Sequence, residues 1–188
     1  MRITLPTKLS EVTIEMYQRY QKINKELPKH KRNVEVIKAL TIDGEADFTK
    51  VPLRQIKDVA ERLEKVMREG NNKLIYNVKI DGKKYGINPN LSECTALEYA
   101  EAMQLTQGGD DELHNLMQVF IRPITLEKKN GYRVEDYTYS KERAELFRKK
   151  LTMDVVSGIY VFFSSILWSY KLETENYGKV EEVKTSTN

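Results

Sequence analysis

The chain has 188 residues, with 31 Lys and Arg against 28 Asp and Glu and a formal net charge of +3. The length fits one domain able to build its own core, and the charge balance gives no bulk electrostatic case for nucleic acid. A single cysteine, Cys94, excludes an intrachain disulfide, and with only His30 and His114 beside it a Cys/His zinc site is not expected. The opening Met1-Arg2-Ile3-Thr4-Leu5-Pro6 has no apolar run, so no signal peptide is expected. Composition therefore predicts a soluble intracellular globular protein without metal or cofactor.

In chain order, Arg2 to Leu5 reads as a short strand stopped by Pro6. Thr13 is placed to cap a first helix, whose apolar stripe is Ile14, Tyr17, Ile23 and Leu27, ending at Pro28. Lys29-His30-Lys31-Arg32 follows as a basic loop. Asn33 can cap a second helix carrying Val36, Ile37 and Leu40, closed by Asp43-Gly44. The third helix has the clearest periodicity: Leu53, Ile56, Val59, Ala60, Leu63, Val66 and Met67 recur at spacings of three and four. Gly70 is expected to end it in a left-handed conformation. Its opposite face mixes both signs of charge, as a solvated surface does.

Leu74 to Ile87 predicts a hairpin turning at Asp81-Gly82, a dipeptide suited to positive φ. Thr95 and Glu98 form a capping box for a fourth helix. After the linker Gln107-Gly108-Gly109, Asp110 and Asp111 open a fifth helix with negative charge at its positive end. Leu113, Leu116, Met117, Phe120 and Ile121 form its apolar face, and Pro123 is expected to stop it. A second hairpin is expected around Asn130-Gly131. Ser140 caps a helix through Lys150, a last helix spans Thr152 to Leu172, and residues 173–188 form a polar tail. The order predicts an α+β fold, predominantly helical, with two β-hairpins and a short N-terminal strand. Residues 1–172 are expected to form the single domain.

The sharpest shift in composition is Val155 to Tyr170, an uncharged aromatic run of 16 residues. A membrane helix needs about 20 apolar residues, and this run contains four serines and Gly158, so a buried or partner-docking helix is expected instead. Gly158 would let another backbone approach. Val155, Ile159, Phe162, Phe163, Ile166, Leu167 and Trp168 are the candidates for core or partner docking. Asp110, Asp111, Glu112 and His114 point in different directions on a helix, so helix-start electrostatics explain them better than a metal or acid–base cluster. Cys94 has no histidine near it in sequence, and a small packed residue is the expected role. Two basic clusters, Lys29, Lys31, Arg32 and Arg148, Lys149, Lys150, supply an alternative nucleic-acid surface. Neither is interleaved with stacking aromatics. Phosphate loops and the nucleophile elbow do not occur in the sequence, and no catalytic set emerges.

Four stretches carry a resemblance. They are Ile3 to Thr13 followed by Tyr17-Gln18; Asp81 to Ile87 leading to Pro89-Asn90-Leu91 and Glu98-Tyr99; Leu113 to Ile124; and Met153 to Gly158 followed by Val161-Phe162-Phe163. In this order they resemble a family of small proteins from the structural-gene modules of tailed bacteriophages, some of them similar to tail assembly chaperones. The chain departs from that family after Phe163, where Ser164-Ser165-Ile166-Leu167-Trp168 replaces an Asn-Leu-Gly stretch. The resemblance implies a non-enzymatic morphogenesis protein in the host cytoplasm, possessing no cofactor. Its partners would be other tail or structural proteins, or a second copy of itself, and it could be retained in the virion.

Overall fold

A computed structural model describes residues 3–45, 47–70, 73–88 and 94–163. Of the predicted strand at residues 2–5, the described residues 3–5 form one bridge: Thr4 N–H donates to the Asp43 carbonyl at 3.0 Å, and Ile42 N–H to the Thr4 carbonyl at 2.9 Å. Helix α1 covers Ile14–Gln21, and the Thr13 hydroxyl accepts from Met16 N–H as expected. It stops about two turns before Pro28. That proline instead precedes α2, Lys29–Ala39, so the expected basic loop is the first turn of a helix. Proline tolerates this place because the first helical amides have no intrahelical acceptor to lose. Asn33 lies buried inside α2 rather than at its start.

Helix α3, Leu53–Arg68, buries Ile56, Ala60, Leu63 and Val66 against α2, while Leu53 stays exposed. The chain leaves it through Glu69 in an extended conformation (φ −71°, ψ 93°), so Gly70 does not serve as a left-handed terminator. Strands β1, Asn77–Ile80, and β2, Lys83–Ile87, form the first hairpin. Its turn residues Asp81 and Gly82 have φ of 45° and 83°, the double positive φ that a two-residue turn requires. Helix α4, Ala96–Gln107, begins with the complete capping box of Thr95 and Glu98.

A 3₁₀ turn, Gly109–Glu112, leads into α5, Leu113–Phe120. Strand β3, Ile121–Lys128, follows with no loop between, and Pro123 lies inside it, paired with Tyr85, instead of ending the helix. Proline has no N–H to give a ladder; its carbonyl accepts from Glu135 N–H at 3.0 Å. Strand β4 is Gly131–Val134, and the turn before it is Lys129-Asn130, one residue earlier than expected. Helix α6 is Lys141–Lys150, capped by the Ser140 hydroxyl on Arg143 N–H. Residues 153–163 form α7. Its expected continuation to Leu172 and the tail at 173–188 lie outside the described residues.

The four strands form one antiparallel sheet in the order β1-β2-β3-β4. Tyr85 turns inward and meets Phe147 of α6 edge-on, with centroids 5.3 Å apart. Gly86 faces the other way, and a side chain there would collide with the ring of Tyr132. Because Gly86 leaves that space, the Tyr132 hydroxyl reaches across to donate toward the carbonyls of Tyr76 and Ile87, at 2.7 and 2.8 Å. One hydrophobic cluster extends from Val12 to Phe163 and takes side chains from helices and sheet alike. The architecture is α+β. No helix among the described residues is long and apolar enough to cross a membrane.

Candidate partner-binding groove

Helix α7 is fixed at its start by pairing with the start of α1. Met153 N–H donates to the Val12 carbonyl at 2.8 Å, and Ile14 N–H to Leu151 at 3.1 Å. Midway along, Gly158 lies so close to the Lys73 carbonyl that a Cβ would strike it. The expected close approach at Gly158 is therefore present, and the partner is the chain entering β1. Val155, Ile159 and Phe163 are buried, and Phe163 packs on Phe120 at 4.5 Å. Those three belong to the core rather than to an outer docking face. Phe162 is half-buried, while Ile166, Leu167 and Trp168 lie outside the described residues.

The outward side chains of α7 are Tyr160, 54% exposed, and Val161, 47% exposed, neither among the docking candidates read from sequence. Both line a groove of 430 Å³ between α1, α3, α5 and α7. Leu113, Leu116, Met153 and Val156 give it an apolar lining, Leu9 and Met67 stand beside them, and Arg68, Glu69 and Asp110 bring charge. Burial pushes the Tyr17 phenol up, and the nearby Asp110 carboxylate adds to the push, so this ring stays a neutral donor in the groove wall.

The acidic turn beside the groove is held from α1. The buried Gln18 donates through Nε2 to the carbonyls of Asp110 and Asp111, at 2.8 and 3.1 Å, and Lys22 pairs with Asp111 at 2.7 Å. His114 Nδ1 is 3.3 Å from the same amide nitrogen. Among the described residues no group of three or more His, Cys, Asp or Glu is arranged to hold a metal. Cys94 is half-buried, and burial followed by the Glu98 charge pushes its thiol up, away from a reactive thiolate.

The basic clusters occupy two separate helix ends. Lys29, Lys31 and Arg32 are in the first turn of α2, and Arg148, Lys149 and Lys150 in the last turn of α6. Arg148 bridges Glu145 and Glu15 of α1, Arg32 lies 3.5 Å from Glu64, and Lys150 lies 3.7 Å from Asp81. Lys29, Lys31 and Lys149 are exposed. Sequence reasoning missed the groove because its residues come from five helices, Thr106 of α4 included, with no common motif. The exposed Tyr160 within an otherwise apolar run was the available signal. Comparison with protein-family models, with curated proteins and with solved structures finds no match to this chain.

Proposed function

We propose that the chain is a non-enzymatic protein that acts by protein–protein contact in the tail or neck assembly of a tailed bacteriophage, as a chaperone or adaptor. The observation that supports contact is the outward side of α7. Tyr160 and Val161 stay exposed although Val156, Ile159 and Phe163 of the same helix are core, and they border an apolar groove. A tyrosine with an apolar body and a polar tip is a frequent interface residue. The ordered stretches that resemble phage structural-module proteins support the phage setting. Its partners would be tail or structural proteins in the host cytoplasm, and the finished particle if the chain is retained.

Quantitative mass spectrometry tests this on tail intermediates and virions from a phage encoding the chain. The chain is expected in one of these fractions, and the double variant Tyr160→Ser, Val161→Ser is expected to drop out of it while staying folded. Absence of the unaltered chain from both fractions overturns the proposal.

A further inference from the structure

The start of α4 holds the most buried ion pair of the described residues. Arg122 and Glu98 are each 5% exposed, and Arg122 Nη1 donates to Glu98 Oε1 at 2.6 Å. Glu98 is well supplied. Its Oε2 also accepts from Thr95 N–H at 2.7 Å and lies 3.1 Å from the Thr95 hydroxyl. Arg122 is not: its Nε is buried and has no hydrogen-bond partner among the described residues. A buried donor left unpaired is costly, and native structures seldom leave one without a reason.

The unused Nε–H stands on the side edge of the guanidinium, next to Nη2. Two parallel N–H groups there match the two oxygens of a carboxylate. Arg122 lines a cleft of 610 Å³ together with Leu97, Tyr132, Lys128 and Arg133. The Tyr137 hydroxyl on the same cleft is buried as well, and burial together with the nearby Glu101 carboxylate pushes its phenol up, so it stays protonated. The first turn of α4 adds its positive dipole end. From these features we propose that the cleft binds a carboxylate-bearing ligand on the free edge of Arg122.

Charge balance selects a monoanion. Glu98 is neutralised by Arg122, and Glu135 in the cleft wall is held by Arg143. Among the lining residues what remains is Lys128 and Arg133 against Asp136, with the Glu101 carboxylate beside Tyr137 as a further negative charge, so the cleft suits one added negative charge at most. The aliphatic and aromatic lining from Leu97, Tyr132 and Val134 gives the ligand body an apolar contact. This inference stands apart from the groove beside α7.

The test is a titration of the full chain at constant ionic strength, read from the Arg122 Nε–Hε resonance. The probes are acetate, N-acetylphenylalanine, N-acetylphenylalaninamide and inorganic phosphate. A saturable shift with the two carboxylates and none with the amide is expected. N-acetylphenylalanine tighter than acetate identifies a peptide terminus as the source; equal binding identifies a small acid. Arg133→Gln is expected to keep the thermal midpoint and weaken carboxylate binding several-fold, and Arg122→Lys, followed by the backbone amide resonances of Tyr132 and Val134, to abolish it. No saturable shift, an equal response to the amide, tighter binding of phosphate, or undiminished binding in Arg133→Gln each overturns the proposal.

Discussion

At Gly158 the α7 backbone meets the chain entering β1, and a single methyl group would strike the Lys73 carbonyl. Neither a helix interior nor a backbone carbonyl yields easily, so Gly158→Ala is expected to lower stability by about 1–3 kcal/mol in urea unfolding. An unchanged or raised midpoint would show that the approach is slack. His114 gives the residue scale a pH dependence. Burial holds its imidazole below the ordinary 6.5, outweighing the upward pull of Glu112 and Glu145. The folded state therefore favours the neutral ring, whose Nδ1 faces the Gln18 amide. The unfolded chain takes up the proton first, so this contribution is intact above 6.5 and is lost as pH falls toward the lower folded value. Urea midpoints measured between about pH 5 and 8 should fall on the acid side, and His114→Gln should flatten that slope. An identical slope in the variant assigns the effect to other groups.

Among the elements, those whose ends carry a side-chain cap or a demanding turn could be read directly. Thr13, the Thr95–Glu98 box, Ser140 and Asp81-Gly82 each act where their local chemistry places them. The misread ends depended on distant partners. Pro123 continues a strand because β2 and Glu135 meet it there, and Lys29 to Arg32 are helical because α2 packs on α1 and α3. Tyr132 is the long-range tie within the sheet. It lies on β4 and bonds to carbonyls in β2 and just before β1, crossing β3 to do so. Tyr132→Phe keeps the ring over Gly86 and removes both bonds. A loss of about 1–2 kcal/mol is expected, with faster hydrogen exchange in the first hairpin than in α3. Uniform exchange changes would deny this tie.

At the scale of the molecule, the overall α+β composition was legible because amphipathic spacing and turn residues are local signals. The groove was not, since Leu9, Tyr17, Met67, Leu113 and Tyr160 converge only after the helices have packed. Nor was the free edge of Arg122, which depends on Glu98 taking one nitrogen and leaving the other. The cluster joining Val12 to Phe163 predicts one cooperative transition, with far-ultraviolet and tyrosine near-ultraviolet dichroism coinciding through urea unfolding. Separate midpoints would divide the chain into independent units. The bridge between Thr13 and Thr152 has a consequence for the order of events on the ribosome. Helix α1 packs on α2 and α6 and is tied by that bridge to the start of α7, far later in the chain. In a nascent chain the part of this apolar surface that α7 covers therefore stays open until α7 has emerged, and the groove is completed only when Tyr160 and Val161 are in place.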